Sequence, residues 1–204
     1  MAVVSKTWWV KVNSVSMHKN MSNQEVESQS SMLRWLWLAL VVIALDQVTK
    51  IWANSALSLY LPVEVFTGLN MTLSYNPGAA FSFLANAGGW QRWFFIVLAL
   101  LVSVYIIYWL KRLGANEKML AMSLTLILGG AVGNVIDRVY LGHVVDFIDV
   151  YYRANECLPF FGSMMRSGVS SCHWPAFNIA DSAITLGAVL LVVDSFRGHR
   201  KASN

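Results

Sequence analysis

From Phe94 to Leu110 the chain reads FFIVLALLVSVYIIYWL, without one acidic or basic side chain, and three other apolar blocks approach it in length. A run of that kind has few places to go. As a helix, about 20 residues cross the roughly 30 Å hydrocarbon core of a bilayer, and there only a helix or a closed barrel satisfies every backbone N–H and C=O. Composition points the same way. Of the 204 residues, 56% are hydrophobic and 13% charged, against roughly 25% charged in a soluble domain. The expected fold is an all-α polytopic membrane protein, with four transmembrane helices at about 33–53, 92–110, 119–139 and 178–196.

The formal charge of +4 could suggest a nucleic-acid partner, but Lys and Arg sit in short clusters beside the apolar blocks. That is a topology signal, and no nucleic acid is expected. Lys111, Arg112 and Lys118 lie between the second and third blocks, and Arg197, His199, Arg200 and Lys201 follow the fourth. Both termini are therefore expected in the cytoplasm, with periplasmic loops at 54–91 and 140–177. Residues 1–32 are polar and aperiodic, mixing Lys6, Lys11 and Lys19 with Glu25 and Glu27, and read as a disordered cytoplasmic tail. They lack the apolar core of a cleavable signal peptide, and Met17, Met21 and Met32 leave the natural start open. The expected division is this tail, a membrane domain over 33–200, and a short tail over 201–204. Within the first loop, VEVFTGLNMTLSYN alternates apolar and polar residues between Pro62, Gly68, Pro77 and Gly78. This predicts a small β-rich element at the membrane surface between helices one and two.

Several polar residues interrupt the apolar blocks. Asp46 and Lys50 are i, i+4 neighbours able to pair, and Gly130, Asn134 and Arg138 share one helical face. Asp146 lies just beyond that face, and Asn178 and Asp181 open the fourth block. The topology puts all of these near the outer membrane face. Such groups are costly in lipid unless they face a protein interior or water, so their convergence predicts a functional site, although a purely structural network would also satisfy them. Asp146 and Asp181 are carboxylates on separate elements that, at close range, would share one proton. That suits hydrolysis by an activated water. A metal site built from His143, Asp146, His173 and Asp181 lacks any recognisable ligand spacing. A small ion-coupled transporter relaying protons through Asp46, Asp146 and Asp181 would place them near the midplane and show internal repeats, and none is found. A scaffold without catalysis leaves the carboxylates unexplained. Cys157 and Cys172 fall in one loop, where a disulfide and two unpaired thiols both remain open.

Taken together, Asp46 to Lys50, NPGAAFS at 76–82, GNVIDR at 133–138, VVDF at 144–147 and FNIADSAI at 177–184 resemble lipoprotein signal peptidase, signal peptidase II. The resemblance covers about Leu33 to Arg200. It implies an aspartic endopeptidase of the bacterial inner membrane that removes signal peptides from diacylglyceryl-modified prolipoproteins. Cleavage would fall immediately before the lipidated cysteine. Carried onto this sequence, the catalytic pair would be Asp146 and Asp181. Asn76, Gly130, Asn134, Arg138, Asn178, Asp46 and Lys50 match other patterned positions of the family. Asn134 and Asn178 would orient the carboxylates or bind substrate backbone, Arg138 would hold the loop bearing Asp146, and residues 76–82 would cradle the extended substrate. The resemblance implies no metal or organic cofactor, and a monomer is expected. The 1–32 tail has no counterpart in the family pattern, and the segment between VVDF and FNIAD looks long, which makes it a passive surface loop or a lid. Asp149 matches no motif and is left out of the chemistry.

Overall fold

A computed structural model describes residues 33–78, 88–166 and 169–202. The expected tail at 1–32, the Ala79 to Ser82 half of the substrate cradle, and residues 203–204 lie outside the described residues. Among the described residues there are four helices: α1 (Leu36–Ala56), α2 (Trp90–Leu110), α3 (Lys118–Tyr140) and α4 (Ile179–Ala202). Each is long and apolar enough to cross a membrane, α4 over Ile179–Arg197. Their outward faces carry large bare hydrocarbon side chains, such as Ile51 at 69% exposure and Val104 at 67%. Such a surface is at home in lipid.

Helix α3 packs against each of the other three. Without a hydrophobic drive between helices in lipid, close backbone approach by small residues holds such bundles together. A Cβ on Gly129 would stand 2.8 Å from Cβ of Val42 on α1, and one on Gly130 would collide with the Ala180 carbonyl on α4. Two adjacent glycines therefore let α3 wedge between α1 and α4.

The expected β-rich element is present as β1 (Val63–Phe66) and β2 (Leu69–Asn76), but it is only one edge of a larger sheet. Strands β3 (Val144–Tyr152), β4 (Gly162–Arg166) and β5 (Val169–His173) come from the segment between α3 and α4, giving the antiparallel order β1-β2-β3-β5-β4. All-α thus describes the spans and not the whole chain. Strand β3 is central and buried along most of its length, so its sequence lacks the period-two alternation that marks a half-exposed strand. Ala53 from the end of α1 packs with Leu73, Val145 and Phe147, seating the sheet on the helices. Cys157 and Cys172 are disulfide-bonded, closing the segment that carries β4.

Candidate active site

Four elements meet where the helices join the sheet. Helix α3 ends at Tyr140, and Gly142, at φ +85°, takes the left-handed conformation that a following strand requires. At the end of α3, Asp137 Oδ2 accepts a 3.0 Å hydrogen bond from the Val145 backbone N–H, which fixes the first turn out of the helix to the strand carrying Asp146. Strand β2 runs alongside, pairing Ser74 with Asp146 and Asn76 with Val144. Helix α4 then starts beneath them. Asn178 caps it in the usual way, its Oδ1 accepting from the Asp181 N–H at 2.9 Å.

Asn178 also donates through Nδ2 to Asp146 Oδ1 at 2.7 Å. One buried side chain therefore touches both expected catalytic residues, one by its amide nitrogen and the other by its oxygen. Asn76 Nδ2 donates to the second Asp146 oxygen at 3.2 Å, and Asn134 Nδ2 donates to Asp181 Oδ1 at 2.8 Å. Asp146 is 2% exposed, whereas Asp181 lines an open cavity of about 570 Å³. Burial first, and the negative charge of Asp181 second, push the Asp146 carboxyl up to about 7, against the opposing pull of Asn76 and Asn178.

Behind this pair lies a charged network. Lys50 Nζ stands 2.8 Å from Asp46 Oδ2, 3.0 Å from Asp137 Oδ2 and 3.0 Å from Asn134 Oδ1. Three donor contacts leave the ammonium well satisfied although it is almost wholly buried. Asp46 Oδ1 accepts from the Ala180 N–H at 2.9 Å, so a carboxylate on α1 completes the positive end of α4. Gln47 Nε2 ties the same group together, reaching Asp46 Oδ2, Gly133 O and Asp137 Oδ1. All nine expected site residues thus fall in one region, with Gly130 providing close helix approach. Asp137 and Gln47 were missing from that expectation. The signal was present, because Asp137 is an acid inside GNVIDR and Gln47 lies between Asp46 and Lys50.

Arg138 departs from its expected role. Its guanidinium donates to Gly78 O at 2.7 Å and to Asn134 O at 3.2 Å, so it holds the Asn76–Gly78 turn, and the strand bearing Asp146 is held by its neighbour Asp137. Successive helix residues point about 100° apart, which sends the two side chains to different partners. The four groups considered for a metal do not come together. His143 sits against the Tyr75 ring with centroids 4.2 Å apart, burial holding its imidazole below the usual range with Asp137 opposing, and His173 binds Asp149. Among the described residues no cluster of three or more His, Cys, Asp or Glu is found that could hold a metal.

From Asp181 the cavity extends along one face of α4 through Ser182, Thr185, Leu186 and Val189. At about 1.5 Å per residue, that is roughly 12 Å into the apolar span. The cavity is polar at Asp181 and apolar further along, where Leu186 and Val189 are half exposed to the surroundings.

The family model described as "Signal peptidase (SPase) II" matches residues 38–197. A relative from Pseudomonas putida, "Lipoprotein signal peptidase", is 48% identical over 169 residues, spanning 82% of this chain and 90% of its own. One of the same description from Alteromonas mediterranea is 47% identical over 171 residues, spanning 84% and 85%. Among solved structures, "Bacterial membrane enzyme structure by the in meso method at 2.3 A resolution" superposes with a TM-score of 0.63 at 28% identity, covering 80% of this chain and 88% of that one.

Proposed function

The chain belongs to the signal peptidase II family, and from that premise we propose that Asp146 and Asp181 are its catalytic pair. Family membership makes it an aspartic-type peptidase of lipoprotein signal peptides in the bacterial inner membrane, and the rival reading as an ion-coupled transporter is left without support. The observation that carries the assignment is Asn178, whose side chain donates to the Asp146 carboxylate and accepts from the Asp181 backbone N–H, beside a cavity that Asp181 lines and that becomes apolar along α4.

Asp181 lines the cavity and takes a proton from water, and the oxygen so freed attacks the scissile carbonyl carbon. Asp146 holds the other proton and donates it toward the carbonyl oxygen as negative charge develops there. On collapse of the tetrahedral intermediate, the C–N bond breaks. The leaving nitrogen takes the proton from Asp181, and the carbonyl re-forms as a proton returns to Asp146. The apparent pKa values belong to the pair. Lys50, Asp46, Asp137 and Gln47 hold the frame, Asn134 and Asn178 orient the carboxylates, and Arg138 and Asn76 hold the turn against which an extended substrate lies. Neither metal nor organic cofactor takes part.

The substrate is a diacylglyceryl-modified prolipoprotein, cut on the N-terminal side of the lipidated cysteine, with its apolar segment along α4. The basic groups at Lys111, Arg112 and Lys118 and after Phe196 support cytoplasmic termini, a tail over 1–32 on that side, and a sheet and active site at the periplasmic face. The peptidase unit is 33–200, working as a monomer without nucleic acid. Reconstituted protein is tested with such a substrate, the new N-terminus is read by mass spectrometry, and Asp146→Asn and Asp181→Asn are compared with wild type. Wild-type cleavage by either variant would remove that residue from the pair, and activity lost on adding a chelator would bring metal chemistry back.

A further inference from the structure

A second buried polar cluster lies outside the proposed dyad. Asp149 Oδ2 accepts from Asn70 Nδ2 at 3.1 Å and Thr72 Oγ1 at 3.0 Å, both on β2. From the opposite side, His173 Nδ1 on β5 stands 2.8 Å from Asp149 Oδ1, its ring stacked on Tyr151. The cluster laces three adjacent strands at one level. That matters because, among the described residues, β5 pairs with β3 only at Tyr151↔His173 and Tyr152↔Cys172. So short a ladder does little to fix a strand by itself.

The chain that follows His173 is the cavity wall. Trp174, Pro175, Ala176 and Phe177 line it in succession. Its far end is fixed by exchange of hydrogen bonds between Phe177 and Ile148, and then by Asn178 on the Asp146 carboxylate and the Asp181 backbone N–H. Its near end is fixed by the Trp174 N–H on Val150 O at 2.8 Å and by His173 on Asp149.

We propose that Asp149 and His173 are positioning residues: by clamping the start of the 174–177 wall, they set its fit across the cavity from Leu186 and Val189, and so govern how tightly substrate is held. They do not touch the reacting atoms. The proposal rests on the reading of this cavity as the substrate site. Ser171 Oγ, 2.9 Å from His173 Nε2, completes the contact order of a hydrolytic triad, yet its hydroxyl donates to Met164 O at 3.2 Å. The serine is thereby a tie to β4, and the cluster works as a clamp on the hairpin.

The test compares full-length wild type, His173→Ala, His173→Gln and Asp149→Asn in lipid, on a diacylglyceryl-modified prolipoprotein, with Asp181→Asn alongside. Loss of a hydrogen bond to a charged group corresponds to about tenfold in affinity. His173→Ala is therefore expected to raise KM about tenfold with kcat within about twofold, and Asp149→Asn to raise it less. His173→Gln, whose amide N–H can still reach Asp149, should recover most of the loss. If His173→Ala does not fold, Asp149→Asn carries the same split. A fall in kcat at unchanged KM, or no change in either, overturns the clamp, as does labelling of Ser171 by a fluorophosphonate. An active Asp181→Asn sinks the active-site reading instead, whereas an inactive one beside an unaltered His173→Ala sinks the clamp alone.

Discussion

Asp146 and Asp149 stand three residues apart on β3, 2% and 4% exposed, yet they are set up for different work. Asp149 is ringed by donors from both neighbouring strands: an amide, a hydroxyl and an imidazole. Asp146 has two amide donors but also feels a second carboxylate, Asp181, which lines a cavity. Burial alone therefore does not make a carboxylate reactive. What distinguishes the two is the company each keeps, in one case donors on every side and in the other an unneutralised like charge beside open space.

The largest expected effect separates these two aspartates directly. Asp146→Asn or Asp181→Asn should lower kcat/KM on the order of 10³-fold, the range that removing a general acid or base commonly produces, whereas Asp149→Asn should leave kcat within about twofold. Steady-state cleavage of the lipidated substrate reads both. Equal losses at all three positions would erase the contrast.

Next in size is the charge behind the dyad. Lys50→Met leaves Asp46 and Asp137 facing each other without their shared cation, and breaking a buried pair by removing one partner costs about 3–5 kcal/mol. Thermal unfolding in detergent should show that loss, and an unchanged midpoint would mean the network is not closed. A smaller cost, about 1–3 kcal/mol from overpacking, is expected for Gly130→Ala, because the new methyl meets the Ala180 carbonyl at the start of α4. Activity should fall with it, since Asp181 lies one residue further on.

The smallest effect concerns pH and sharpens the comparison most. Because the Asp146 carboxyl sits at about 7 in the folded protein and lower when unfolded, the folded state favours its protonated form. Its contribution to stability is whole below the unfolded value and is lost as pH rises through about 7. The melting temperature of Asp146→Asn relative to wild type should therefore climb between pH 5 and 8, by a few degrees. Wild-type kcat should decline over the same upper range as Asp146 gives up its proton. A flat difference would show that Asp146 ionises as freely as a surface acid.

Much of this was legible in the chain. Apolar length alone located four helices, and i, i+4 spacing alone paired Asp46 with Lys50, because both signals are local. Asp146 and Asp181, proposed above as the pair, were singled out as carboxylates that the expected topology brings to one level near the outer membrane face. The rest is held by pairing between distant segments. GSMMR and VSSCH become β4 and β5 only by bonding to each other and to β3, and nothing in their period announces it. Arg138 and Asp137 show the same limit more finely. Adjacent on one helix, they divide the work, Asp137 taking the hold on the Asp146 strand that was expected of Arg138, because side-chain direction and not sequence order decides which strand or turn each one reaches.

One contact bears on how the protein comes into being. The cap that Asp46 places on Ala180 joins residues separated by 134 positions, the first membrane span and the last. On the assignment proposed above, a nascent chain with three spans inserted already carries Asp46 and Asp146 but has neither the helix they serve nor the second carboxylate. On that assignment proteolysis waits until α4 docks against α3, and a product truncated before α4 is inert.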